Sequence, residues 1–328
     1  MRRFTALFVP ALLVSIAACG PKGAGGDDDD DDDGADARVD SNTGGPDGPS
    51  VAEACRKMDL IFVIDDSVSM SQEQSNLAQN FPAFANTLNT YTTTTGEQLD
   101  YRAAITTTGV TADVTFVTPP LPPPFPMIPP VHMPQDGDDG VFRQACGMTR
   151  RWLERTDPMM ASTFACAANV GTNGPGLEMP LRASQLAVLA ATNPGFLRTD
   201  ALLGIVMITD EDDCSHSDTT FNSAGDGCTE STDMNLVTPQ GFLQSMDAIK
   251  GERGRWAAAI IAGRTDCTSP GFGQAVEGIR LKAVAAASPD NVVFGDICMG
   301  DLDASLQQAL DTFQAACESF PPPGKSTR

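Results

Sequence analysis

Five consecutive apolar residues, Leu60-Ile61-Phe62-Val63-Ile64, run directly into Asp65-Asp66. A run this short and this rich in β-branched and aromatic side chains reads as a strand, and its lack of polar alternation means that both faces are covered. Such strands belong to parallel sheets with helices packed on each side. Similar runs recur at Leu202–Ile208, Trp256–Ala262 and 291–297, and two less continuous ones at 101–106 and Ala112–Val117. Helical spacing separates them. In 71–88 the apolar residues Leu77, Phe81, Phe84 and Leu88 are four, three and four apart, with Pro82 as a potential kink. Further helices are expected at 177–191, 239–250, 272–287 and 302–320.

Strands alternating with helices imply right-handed crossovers. The expected fold is α/β: a doubly wound, mostly parallel six-stranded sheet, helices on both faces, with one antiparallel edge strand. Gly109-Val110 is short enough for a hairpin, which assigns the edge to Ala112–Val117. The common order 3-2-1-4-5-6 sets the first and fourth strands side by side, and ligands bind such sheets beyond the carboxyl ends of the strands at that point.

Outside this pattern, the chain opens on Met1-Arg2-Arg3 and a mostly apolar stretch, 4–18, that is too short to span a membrane as a helix. Residues 1–19 read as a signal peptide. Its ending, Ile16-Ala17-Ala18-Cys19, resembles the lipobox of bacterial lipoproteins, which implies acylation of Cys19. Gly20 in place of Asp after that cysteine implies delivery to the outer membrane in some diderm bacteria. Residues 20–54 are rich in Gly, Pro and Asp, including the seven carboxylates Asp27 to Asp33, and cannot bury a core. They form an acidic, disordered linker that spans on the order of 100 Å fully extended, holding the domain, residues 55–320, away from an anchored end. A calcium-binding tail is the rival reading of the aspartate run. Residues 118–169 form an insertion that begins proline-rich, in which Trp152 and Leu153 suggest a short helix. Residues 321–328 are a flexible tail.

The net charge is −22. The residues before Cys55 hold 11 of the 43 acidic and 4 of the 21 basic side chains, so the domain itself stands at −15. Phosphate binding needs basic patches, so nucleic acid is not an expected partner; cations are. Of the 9 cysteines, 8 remain once Cys19 is set aside, as an oxidising compartment favours. No Cys-x-x-Cys occurs. Local pairing is the hypothesis: Cys146 with Cys166, Cys214 with Cys228, Cys267 with Cys298, and Cys55 with Cys317 joining the domain's ends.

Two carboxylate clusters fall at the two adjacent strand ends. Asp65-Asp66-Ser67-Val68-Ser69 follows the first strand, and Thr209-Asp210-Glu211-Asp212-Asp213 follows the fourth. Carboxylates and hydroxyls together suit a hard divalent cation. Asp65, Ser67 and Ser69 in Asp-x-Ser-x-Ser, with Asp210 in Ile-Thr-Asp, closely resemble the von Willebrand factor A family and its metal-ion-dependent adhesion site, or MIDAS. The resemblance covers roughly residues 56–320, and Ile208 to Ser215 also looks like a subgroup of bacterial cell-surface lipoproteins. It implies that Ser67 and Ser69 bind the metal through their hydroxyls. Asp65 and Asp210 would act directly or through water. Thr172, in Gly171-Thr172-Asn173-Gly174, would join in one state, with Thr163 as a rival. The implied ion is Mg2+, with Mn2+ or Ca2+ as substitutes, and the implied partner is a protein presenting an Asp or Glu carboxylate, or a glycan. Glu211 and Val68 depart from the family's frequent glycines.

Other readings of these residues stay open. Ser67 and Ser69 would serve equally as caps of the following helix. Glu211, Asp212 and Asp213 would form a second cation site with His216, cap a helix, or face water. A haloacid-dehalogenase-like phosphatase also has an aspartate after its first strand, but needs a second aspartate where this chain has Ser67. A serine hydrolase lacks its Gly-x-Ser-x-Gly elbow here, with only His132 and His216 as bases. A structural lipoprotein with a non-functional metal site is the remaining alternative. The expectation is a binding protein and not an enzyme.

Overall fold

β1 (Lys57–Ile64) is buried from Met58 onward and lies in the middle of the main sheet. The computed structural model describes residues 56–92, 96–118, 122, 124, 126–224, 235–270, 273–300 and 302–320. The expected signal peptide with Cys19, the acidic linker, Cys55, Cys228 and the tail from 321 lie outside these residues.

β1 pairs in parallel with β2 (Asp100–Thr107) on one side. The remaining strands are β3 (Ala112–Val117), β4 (Val131–Gln135), β5 (Leu153–Glu154), β6 (Leu202–Ile208), β7 (Thr220–Ala224), β8 (Trp256–Ala262), β9 (Cys267–Ser269), β10 (Gly273–Ala275) and β11 (Val292–Asp296). The six-stranded sheet has the order β11-β8-β6-β1-β2-β5, parallel throughout except for β5. The helices are α1 (Ser71–Thr90), α2 (Met160–Ala168), α3 (Pro180–Ala187), α4 (Pro239–Lys250), α5 (Ile279–Ala287) and α6 (Asp303–Glu318). They cover both faces, giving two apolar cores. Side chains alternate along a strand, so Leu60, Phe62 and Ile64 enter one core and Ile61 and Val63 the other. This is the expected α/β class. Ile64 is paired with Ile208, so the chain leaves β1 and β6 at the same level, and Asp65 and Thr209 start adjacent loops.

Three expectations are corrected. The antiparallel edge is β5, where Leu153 faces Ala103, and not Ala112–Val117. β3 instead pairs antiparallel with β4 and parallel with β7 in a separate three-stranded sheet. The reason lies at the expected hairpin turn. Gly109 is pressed against Gly137 so closely that a Cβ on Gly137 would lie 2.2 Å from the Gly109 carbonyl carbon. Thr111 is bound to Asp139 through its N–H (2.7 Å) and its hydroxyl (2.8 Å). These contacts draw residues 109–111 toward the insertion. The helix expected around Trp152 and Leu153 is this edge strand; the insertion's helix is α2.

Residues 177–191 and 272–287 are helical only in part. Pro180 stands at the first helical position of α3, where its missing N–H costs nothing, and Met179 before it donates to Thr108 O at 3.1 Å. Gly273–Ala275 is a strand paired antiparallel with Cys267–Ser269, and the Cys267–Cys298 disulfide anchors that hairpin. Phe272 lies outside the described residues. α1 runs through Pro82.

The insertion belongs to the core. Phe164 on α2 is fully buried and meets Phe62 edge-on, with ring centroids 4.8 Å apart. A disulfide joins Cys146 to Cys166. Cys214 and Cys317 each take part in a separate disulfide.

Candidate metal centre

The β1–β6 junction builds the site from its backbone outward. Asp65 extends the ladder by one bond, its N–H donating to Ile208 O at 2.9 Å. Its side chain is fully buried and accepts two bonds, from Ser67 N–H at 2.8 Å and from the Thr209 hydroxyl at 2.6 Å. Its carbonyl accepts from Gln74 Nε2 of α1 at 2.8 Å. Asp65 is thus clamped by both loops and by the helix that follows.

The serines turn toward each other. Ser67 Oγ and Ser69 Oγ are 2.8 Å apart, and Ser69 Oγ donates to Asp210 Oδ1 at 3.3 Å. Asp210 is held by its backbone, whose carbonyl accepts from Val276 N–H at 2.9 Å. The capping alternative does not describe these serines. Ser67 precedes a short 3-10 turn, Val68–Met70, but makes no side-chain cap bond, and none caps α1. Ser67 is buried, whereas Val68 and Ser69 are exposed, so the site opens to solvent on the Ser69 side.

Thr172 is half-buried and forms no hydrogen bond with the other four residues. Its loop nevertheless touches the site: Gly174 N–H donates to Asp66 O at 2.6 Å, and a Cβ on Gly174 would lie 2.1 Å from Asp66 Oδ1. A side chain at 174 would displace the Asp66 carboxylate from that position. Thr163, the rival, stands in α2 with its N–H donating to Met159 O.

Glu211, Asp212, Asp213 and His216 do not form a second cation site. Asp212 accepts from Arg280 N–H and Leu281 N–H, capping α5. Asp213 accepts from Leu181 N–H at 3.1 Å at the start of α3 and pairs with Arg280 at 3.0 Å. His216 stacks on Phe221 with its Nδ1 2.7 Å from Cys214 O. Glu211 is half-buried, and its charge acts on Asp65, Glu178 and Asp210.

One residue absent from the sequence reading enters here. Glu178, just before α3, is 1% exposed, and its carboxyl meets no donor but the neighbouring carboxyl of Glu211, with which it shares a hydrogen bond when one of the two is protonated. Burial and the neighbouring Asp65 and Glu211 carboxylates push it up to about 10. Burial, with Asp65, Glu73 and Glu211 nearby, pushes Asp210 up to about 8. Burial likewise raises Asp65 against its two hydrogen bonds. Among the described residues no Lys or Arg forms an ion pair with Asp65, Glu178 or Asp210.

The donor set fits a hard cation. Uncompensated buried carboxylates protonate or find a cation, and Ser67 and Ser69 add neutral oxygens beside them. Among the described residues no group of three or more His, Cys, Asp or Glu side chains is placed to hold a metal ion, so a shell here would draw on the hydroxyls and on water. Ser69→Ala should therefore lower divalent-cation affinity about tenfold while leaving stability within ~0.5 kcal/mol, since an exposed hydroxyl contributes little to folding. Calorimetric titration beside denaturant unfolding checks both, and equal losses in the two would assign Ser69 to structure alone.

No family model and no curated protein matches the chain. Several solved structures are similar to it at low identity. Proximal thread matrix protein 1 from the mussel byssus shares 12% identity at a TM-score of 0.41, over 78% of this chain and 48% of that one. The same mussel protein with a zinc-occupied MIDAS motif shares 13% at a TM-score of 0.39, over 80% of this chain and 46% of that one. The pilus adhesin SpaC from Lactobacillus rhamnosus GG shares 11% at 0.37, over 78% of this chain and 30% of that one. This chain thus spans less than half the length of each. The sheet order, with β1 between β2 and β6, and the single antiparallel edge carry the assignment. The fold is an open, mostly parallel α/β sheet with helices on both faces.

Proposed function

We propose that this chain is an exported, lipid-anchored binding protein. Its domain takes up a divalent cation at Asp65, Ser67, Ser69 and Asp210, with Thr172 joining from the adjacent loop. Mg2+ is the expected ion, and Mn2+ or Ca2+ can replace it. The bound cation then captures a protein or glycan ligand through an acidic group. One observation supports this above the others: the exposed Ser69 of the β1 loop, its hydroxyl 2.8 Å from that of Ser67, reaches the Asp210 carboxylate of the β6 loop beside the buried Asp65.

The anchor rests on Cys19 and the leader before it, with the outer membrane as destination. Among the described residues no helix is long and apolar enough to cross a membrane. The surface beside the site suits a macromolecular ligand. A hollow of about 350 Å³ between Met133 and Pro175 reaches Gly174, which abuts Asp66. Met127, Val131 and Met133 of the insertion are exposed close to it in sequence. The acidic charge argues against nucleic acid.

No catalysis is assigned. A haloacid-dehalogenase-like phosphatase would need an acid where Ser67 stands, so phosphatase and esterase assays should give blanks. The deciding experiment is capture from the source cell envelope on immobilised protein with Mg2+, followed by EDTA. Release of a specific ligand by EDTA, and no capture by Asp65→Ala, is expected. Capture indifferent to EDTA, or no cation binding by calorimetry, overturns the reading in favour of a structural lipoprotein.

A further inference from the structure

The β9–β10 hairpin is an excursion from the main sheet that ends against the β6 loop. It leaves β8 at Gly263 and returns before α5. Its base is closed by Gly278 N–H donating to Gly263 O at 2.9 Å and by Glu277 N–H donating to Asp266 Oδ1 at 2.9 Å. Just past β10, Val276 N–H donates to Asp210 O at 2.9 Å. At the start of β10, Gly273 has φ 102° and lies so close to α1 that a Cβ there would overlap the buried Glu73 carboxylate, which accepts from the Gln274 amide. The other strand is tied to the turn after β11. Cys267 is bonded to Cys298, and Ser269 Oγ donates to Cys298 O at 2.7 Å. Each strand has only three residues, and a two-stranded hairpin is marginal without outside support. The disulfide supplies that support, and both of its cysteines are partly exposed.

We propose that the Cys267–Cys298 disulfide positions Asp210 through the β9–β10 hairpin, so that cation binding depends on oxidation of this pair. This rests on the cation site proposed above and adds a redox condition to it. The disulfide holds β9, β9 holds β10, and β10 presents the Val276 amide that fixes Asp210 where the Ser69 hydroxyl meets it. Forming the bond needs a disulfide oxidant. One cysteine thiolate attacks the oxidant's disulfide and gives a mixed disulfide. The second thiolate displaces it, and the oxidant leaves as a dithiol carrying the two electrons and two protons of the cysteine pair. A dithiol reductant runs the same exchange backwards. In an exported chain the site would then mature in the oxidising compartment where it is used.

The test is calorimetric titration with MgCl2 and with CaCl2, beside hydrogen exchange at the Val276 amide and denaturant unfolding. It compares wild type, the double variant Cys267→Ser with Cys298→Ser, the double variant Cys146→Ser with Cys166→Ser, and Gly273→Ala. Loss of the 267–298 bond should weaken cation binding about tenfold, as loss of a group that orients a metal ligand does, and should speed exchange at Val276. Loss of the 146–166 bond, which makes no contact with Asp210, should leave both at wild-type values. Gly273→Ala, which keeps every disulfide but pushes the hairpin off Glu73, should weaken binding in the same direction. Wild-type affinity without the 267–298 bond overturns the proposal and leaves the cation site standing. Equal losses in the two double variants, or weaker binding with unchanged Val276 exchange, assign the effect to general stability and also overturn it. A wild type that binds neither ion overturns this proposal and the functional reading together.

Discussion

Arg198→Ala should destabilise the fold by roughly 3–5 kcal/mol, the range for removing one partner of a buried ion pair, without weakening cation binding. Arg198 lies at the opposite end of β1 from the site. Its Nε donates to Asp59 Oδ1 at 2.8 Å and its backbone N–H to Asp59 Oδ2 at 2.6 Å. Its remaining donors reach Asp100 Oδ1 and the carbonyls of Met58 and Asp100. One side chain thus ties the starts of β1 and β2 to the turn before β6. Asp59 is fully buried, and burial raises its carboxyl even with Arg198 alongside.

Without the guanidinium, Asp59 would protonate instead of standing charged in the core. A carboxyl whose folded pKa is raised contributes most below its unfolded value and loses that contribution as pH rises through the folded one. The deficit of Arg198→Ala should therefore widen from about pH 5 to about pH 8. The double variant Asp59→Asn with Arg198→Ala should recover part of it and flatten the pH dependence, since no charge is left unpaired. Denaturant unfolding at both pH values measures this. A single variant within ~1 kcal/mol of wild type would show that Asp59 is not sustained by the pair. Asp59 and Asp65 are six residues apart, roughly 20 Å along a strand, so calorimetric cation affinity should not change.

The residues that read correctly from sequence are those whose placement depends on local pattern and strand order. Leu60 to Ile64 could only be a covered strand. Once Leu202–Ile208 was the fourth strand, Asp65 and Asp210 had to leave the sheet side by side, and the 3.3 Å contact between Ser69 and Asp210 follows from that register. What was illegible depends on contacts between distant segments. The turn at Gly109-Val110 has hairpin chemistry, but Gly137, 28 residues on, holds it open. Gly273–Ala275 sits in a helical-looking stretch, yet the hairpin with Cys267–Ser269, tied to Cys298, makes it a strand. Glu178 looks like an ordinary acid before a helix. Its burial is set by the Cys214 and Thr108 backbones.

The cation-free protein should lose stability as pH rises from about 4 to about 8, and a divalent cation should restore it most at the upper end. The sign follows from raised carboxyls. Asp210 is pushed up to about 8 and Glu178 to about 10, while both titrate near 4 in an unfolded chain. Between these limits the folded state holds more protons than the unfolded one, so each step upward in pH favours unfolding. For Asp210 alone the difference accumulates to on the order of 5 kcal/mol by about pH 8. A cation competes with those protons for the same oxygens. Its affinity should therefore rise with pH up to about 8, with net proton release on binding near neutrality, seen as a buffer-dependent enthalpy.

A cation at a hundredfold excess over its dissociation constant contributes about 2.7 kcal/mol, which for a domain of this size moves the melting midpoint by about 5–10 °C. Calorimetric melting in EDTA and in saturating Ca2+ or Mg2+, at about pH 5 and about pH 8, gives four midpoints. The largest gap should lie between the two conditions at pH 8, and it should vanish in Asp65→Ala. Equal midpoints in EDTA at both pH values, together with no response to either cation, would mean that these carboxylates are neutral structural groups and that the crevice between β1 and β6 binds no metal.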